Sequence, residues 1–138
     1  MLKYGSTSVT MVGHSMGGAV SLDSIYLPLW LPRGTTFKTI AYGLPRVGNQ
    51  ELANYVDANT NLTHINNMED PVLVLPPMIL SFVHPAGEVH IIDSWEWVAC
   101  PGQDNPSTEC SVGDVPIALL GNATEHPGPY NGIMLGCY

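Results

Sequence analysis

The sequence predicts an α/β fold built as one domain over residues 1–138, and three stretches carry that prediction. Val9-Thr10-Met11-Val12 is a strand-forming run that leads into Gly13-His14-Ser15-Met16-Gly17, and a small-residue helical pattern follows, which sets G-x-S-x-G between a strand and a helix. Phe37-Lys38-Thr39-Ile40-Ala41-Tyr42 alternates, ends in the turn Gly43-Leu44-Pro45-Arg46-Val47-Gly48, and precedes a helix through roughly Ala58 with Leu52, Ala53 and Val56 on one face and Asn49 as its cap. Leu62-Thr63-His64-Ile65-Asn66 is a third short strand. The chain leaves it through Asn67-Met68-Glu69-Asp70-Pro71, an ionisable loop on the side of the sheet where open α/β folds place chemistry.

Each residue type of the first stretch has a physical reason. A serine at the tip of a tight strand-to-helix turn is held in a strained backbone conformation that lifts its hydroxyl clear of the sheet, and glycines two positions either side, Gly13 and Gly17, leave room for neighbouring chain. The helix beginning at Met16 aims its unpaired N–H groups at the place where a tetrahedral oxyanion would form, so the Met16 amide is a natural oxyanion donor. A five-residue pattern with three fixed positions also arises by chance as a glycine-rich turn. Here strand-like Ser8 to Val12 precedes it, and a helix-compatible stretch from Ala19 to Leu27, ended by Pro28, follows, which favours a nucleophile.

Further along, the apolar run from Val72 to Phe82 is interrupted by Pro76-Pro77 and is expected as buried coil with a turn of helix, able to line an acyl site. His84-Pro85-Ala86-Gly87 is a turn, and Glu88 to Ile92 and Trp95 to Val98 are expected as strands, a late antiparallel pair or an extended edge. Cys100 and Cys110 flank nine turn-forming residues, which suits a disulfide closing a surface loop. The tail carries His126-Pro127-Gly128-Pro129-Tyr130, a rigid loop able to hold an imidazole outside any regular element.

Composition narrows the function classes. Four basic against twelve acidic residues give a net charge of −8, which repels phosphate backbones and argues against a nucleic-acid partner. The apolar stretches are broken by prolines and too short for a transmembrane segment, and the amino terminus lacks an apolar core of signal-peptide length. Sequons at Asn61-Leu62-Thr63 and Asn122-Ala123-Thr124 permit glycosylation and lean towards an exported protein.

A serine nucleophile needs a neutral imidazole as base and a carboxylate to orient it. In α/β-hydrolases these follow in the order Ser, Asp or Glu, His. That order removes His14 as the base, and His64 too if the acid is Asp70. His90, inside an apolar strand, suits a structural role, whereas His84 fits either role and His126 is favoured by its late loop position. Asp70, just past a strand, is the best-placed acid, with Glu69 as its main competitor and more suited to solvent.

Taken together, five blocks resemble the fungal class 3 lipases, a family of secreted α/β-hydrolases: residues 10–19, 42–49, 63–71, 84–91 and 126–130. The resemblance implies Ser15 as nucleophile, Asp70 as orienting acid and His126 as general base and acid, with no metal or organic cofactor. It implies the Cys100–Cys110 pair, and a partner for Cys137 in an amino-terminal half. Members of the family are about twice this long, so the chain resembles the carboxy-terminal portion of a three-layer α/β-hydrolase domain without the amino-terminal strands and lid. The elbow strand is then expected to be an exposed edge, the apolar surface around Val72 to Leu80 to lose its cover, and this chain alone, without the other oxyanion donor, to show weak or no activity. The implied activity is hydrolysis of a triacylglycerol ester through an acyl-serine, by a secreted protein whose full-length parent meets a lipid–water interface. A feruloyl-type esterase, and an inactive fragment acting only as an interaction surface, are the competing expectations.

Overall fold

The computed structural model describes residues 5–31 and 33–136; the predicted pairing of Cys137 lies outside them. Five strands form one sheet in sequential order: β1 (Ser8–His14), β2 (Thr36–Tyr42), β3 (Leu62–Asn67), β4 (Glu88–Ile91) and β5 (Trp97–Cys100). The first four run parallel and β5 is antiparallel to β4, so the late antiparallel pair stands, with β1 at the sheet edge. The fifth strand begins two residues later than expected, because Trp95 turns the chain at φ 66° and hands its N–H to Ile92 O.

The two-residue period of β2 sorts its side chains between two cores. Ala41 packs with Leu22, Leu44 and Val56 beneath the helices, and Thr39 bonds Ser24 from the same side at 2.7 Å. Ile40 and Tyr42 face the other way, onto Ile65, Ile91 and Tyr130, so the carboxy-terminal tail covers that face. Helix α2 (Gln50–Asn59) is capped by Asn49, whose side chain accepts from Leu52 N at 3.1 Å, and it buries Ala53 and Val56 as the pattern requires.

The helix after the elbow is shorter than its sequence suggests. Helix α1 covers only Met16–Ser21 and tightens into a 3₁₀ segment over Leu22–Leu29. Ser21 Oγ donates back to Gly18 O at 2.5 Å, a local bond that competes with the α ladder. The apolar run after Asp70 also departs from the buried coil that its composition suggests. Leu73 and Val74 are buried, but Leu75, Met78, Ile79 and Leu80 are exposed, Ile79 at 90%. Its prolines break it into two 3₁₀ turns, Pro71–Val74 and Met78–Leu80, too short to turn every apolar side chain inward.

Candidate active site

Ser15 stands between the end of β1 and the start of α1 with φ 55° and ψ −126°, a conformation that costs a non-glycine residue about 1–3 kcal/mol. Its N–H donates to Tyr42 O at 2.8 Å, tying the elbow to the end of β2. A Cβ on Gly13 would lie 2.2 Å from Gly17 O, so glycine is obligatory there, whereas a Cβ on Gly17 meets nothing within 4 Å among the described residues. The steric need thus falls on Gly13 and not on both glycines. Met16 opens α1, so its amide is among those a helix leaves without an internal acceptor.

Asp70 follows β3 by three residues and is fully buried. One oxygen, Oδ1, accepts from Val72 N at 2.8 Å, capping the 3₁₀ turn that Pro71 opens, and the other lies 2.7 Å from His126 Nδ1. On the far side of that ring, His126 Nε2 is 2.7 Å from Ser15 Oγ. An ionised carboxylate only accepts, so Nδ1 carries the hydrogen and Nε2 is left to accept from the serine hydroxyl. Residues far apart in the chain thus stand in one hydrogen-bonded row with a single consistent tautomer.

Several groups outside the sequence-derived set hold this row. Asn67, fully buried, donates to Glu125 O at 2.9 Å, and Glu69 O accepts from Asn122 N at 2.7 Å, so the loops that carry Asp70 and His126 are pinned together. A Cβ on Gly43 would lie 3.1–3.2 Å from the His126 ring and 2.9 Å from Tyr130 Oη, so the imidazole rests on bare backbone. Tyr130 is buried and its phenol is pushed upward by desolvation and then by the Asp70 charge, so it stays a neutral donor, to His126 O at 3.2 Å. None of these ties has a local pattern; Gly43, in the turn Gly43-Leu44-Pro45 that closes β2, carries the detectable signal.

Three of the other histidines, His64, His84 and His90, lie away from the row. His84 Nε2 donates to Leu73 O at 2.7 Å, and His64 Nε2 donates to Pro85 O at 3.1 Å, their rings stacked 5.1 Å apart and buried. Burial holds both below the ordinary histidine value, His84 well below it with the neighbouring His64 adding to the effect. His90, buried inside β4, faces the carbonyls of Glu109 and Met68 at 2.9 and 3.0 Å. Glu69 is exposed and Cys100 is bonded to Cys110. Among the described residues no three His, Cys, Asp or Glu side chains gather as a metal site, and no helix is long and apolar enough to cross a membrane.

A cavity of about 460 Å³ is lined by Arg46, Val74, Leu75, Met78, Ile79, Ile117 and Leu119, and none of its lining residues belongs to the row. Its two walls are the segment that follows Asp70 and the one that leads, through Gly121 and Asn122, to His126. Residues 1–80 match the class 3 lipase family. A secreted mono- and diacylglycerol lipase of Malassezia globosa is 37% identical over 133 residues, covering 93% of this chain and 42% of its own length. A Rhizomucor miehei lipase–propeptide complex superposes with a TM-score of 0.78 at 30% identity, over 99% of this chain and 43% of that one. A structure described as a serine protease triad forming the catalytic centre of a triacylglycerol lipase gives 0.73 at 30% identity, over 98% and 51%. The chain therefore spans about half or less of the proteins it matches.

Proposed function

The chain belongs to the class 3 lipase family, with the α/β-hydrolase fold of its structural neighbours, and from that premise we propose that it supplies the complete Ser15–His126–Asp70 row of a secreted serine hydrolase acting on acylglycerol esters. The observation that carries the proposal is the pair of 2.7 Å contacts on the two nitrogens of one imidazole. Ser15 Oγ attacks the ester carbonyl while His126 Nε2 takes its proton. Asp70 keeps Nδ1 protonated and stabilises the imidazolium, and the Met16 N–H faces the developing oxyanion. The intermediate collapses, His126 returns the proton to the leaving alcohol, and water, activated by the same ring, releases the acid from the acyl-serine.

Support for an acylglycerol comes from the names of the relatives and from the largely apolar cavity lined by the segment that follows Asp70 and by residues 116–119, whose walls suit a hydrocarbon chain. The Cys100–Cys110 bond and the secreted relatives support an oxidising, extracellular setting. Residues 1–138 would form the carboxy-terminal portion of the lipase domain. The test compares the purified chain with Ser15→Ala on p-nitrophenyl butyrate and on a dispersed diacylglycerol. Hydrolysis that disappears with the hydroxyl supports the assignment, and equal rates for the two proteins overturn it.

A further inference from the structure

His126 occupies a backbone conformation that its own sequence resists. It is followed by Pro127, and a residue before proline is pushed out of the right-handed helical region by the pyrrolidine ring. Yet His126 sits at φ −59° and ψ −45°, at the end of a 3₁₀ turn, Ala123–Glu125, of only three residues. Proline also removes the next N–H, so the turn cannot extend into a helix that would hold the residue.

The main-chain carbonyl of His126 is instead gripped from across the fold. His14 Nε2 lies 2.9 Å from it, and since a carbonyl only accepts, that nitrogen carries the hydrogen. Tyr130 Oη donates to the same oxygen from 3.2 Å, the longer of the two bonds. The His14 ring also lies against the His126 ring, centroids 4.7 Å apart, with Tyr130 edge-on to it at 6.1 Å. His14 immediately precedes the nucleophile on β1, so its bond runs from the serine's own strand to the base's own carbonyl.

Resting on the serine-hydrolase assignment above, we propose that His14 is a positioning residue: its Nε2–H fixes the main chain of His126 in the disfavoured pre-proline conformation that points the base at Ser15. It does not touch the reacting atoms. A one-ångström error in the placement of a general base costs up to about a hundredfold in rate, so the donor matters to turnover more than to substrate capture. Phenylalanine at position 14 keeps a ring against His126 but donates nothing. Glutamine loses the ring but carries an N–H at a similar reach.

The test is His14→Phe and His14→Gln in the 138-residue chain, read in two ways. On p-nitrophenyl butyrate, H14F lowers kcat by about ten- to a hundredfold with KM within about twofold, and H14Q recovers much of that loss at a comparable melting temperature. Independently of turnover, the downfield proton resonance of the His126 Nδ1–H to Asp70 bond broadens or shifts in H14F and returns in H14Q. Wild-type kcat and resonance in H14F overturn the proposal, as do equal losses in both variants that track their melting temperatures. If Ser15→Ala hydrolyses as fast as the parent, the enzyme assignment falls, and the His126 resonance alone decides whether His14 holds the ring.

Discussion

The ion pair between Arg46 and Asp104 gives the sharpest stability prediction. Their side chains are 2% and 4% exposed, and both Nε and Nη2 of Arg46 reach Asp104 Oδ1 at 2.8 Å. The same guanidinium donates from Nη1 to Val74 O at 2.6 Å and Pro76 O at 3.1 Å, holding the segment that follows Asp70, while Asp104 Oδ2 accepts from His84 N at 2.9 Å. Asp104→Asn is the clean perturbation, because the site has φ 43° and asparagine tolerates that conformation. It leaves a buried guanidinium without its counter-charge and sets an NH₂ against a donor. Breaking a buried pair in this way costs about 3–5 kcal/mol. In urea, with a slope near ~1.5 kcal/mol per molar, the midpoint falls by at least about 2 M. The measurement is equilibrium unfolding followed by tryptophan fluorescence with Cys100–Cys110 kept oxidised. A shift below about 0.7 M would correspond to the ~1 kcal/mol of an exposed pair and would refute the claim that this contact works as a buried one.

Asp70→Asn keeps the oxygen that caps Val72 but turns an NH₂ towards His126 or loses the charge that fixes its tautomer. Esterase kcat should fall by roughly ten-thousandfold with little loss of fold, as wrong-tautomer variants of such rows do; a fall of less than tenfold would contradict the assigned role. The stacked pair His64 and His84 predicts a pH effect on stability. Both are held below 6.5 in the folded chain, so below that pH the unfolded chain binds more protons and stability drops as the medium is acidified. The urea midpoint should therefore be lower at pH 5 than at pH 7, and His84→Gln, which keeps a donor for Leu73 O, should reduce that difference. A midpoint that holds or rises at pH 5 would show that the two rings are not buried neutral.

What the sequence made legible was whatever a local pattern encodes. The β-turn-helix order around Ser15, the Asn49 cap, the alternation of β2 and the position of Asp70 just past β3 each follow from residues within a few places of one another. His126 was separable from His84 only by loop setting and order, and what distinguishes them physically is burial: His84 spends its Nε2 on Leu73 O, whereas His126 is 20% exposed at the side chain and turns its Nε2 to Ser15. Composition alone read the run from Val72 as buried, and the exposure of Leu75, Met78, Ile79 and Leu80 was legible only from the expectation that this surface loses its cover without the amino-terminal strands. Asp104 was not legible: it lies in a loop of turn formers and finds Arg46 fifty-eight residues earlier in the chain.

The same distinction explains how the imidazole of His126, carried by a short, proline-rich loop, can be placed as closely as the hydroxyl of Ser15 at the end of a strand. Ordering a loop residue costs about 1–2 kcal/mol of backbone entropy, and residues 122–130 contain no α-helix or extended strand to offset it. The offset comes from bonds made to the sheet side: Asn122 N to Glu69 O, Asn67 Nδ2 to Glu125 O and His14 Nε2 to His126 O, with Leu135 N closing the loop onto Pro127 O at 2.7 Å. Three of these four partners stand on β1, on β3 or in the loop that leaves β3, the elements that carry Ser15 and Asp70. His126 is therefore fixed relative to Ser15 and Asp70 directly, and not through the disulfide loop or the exposed apolar segment.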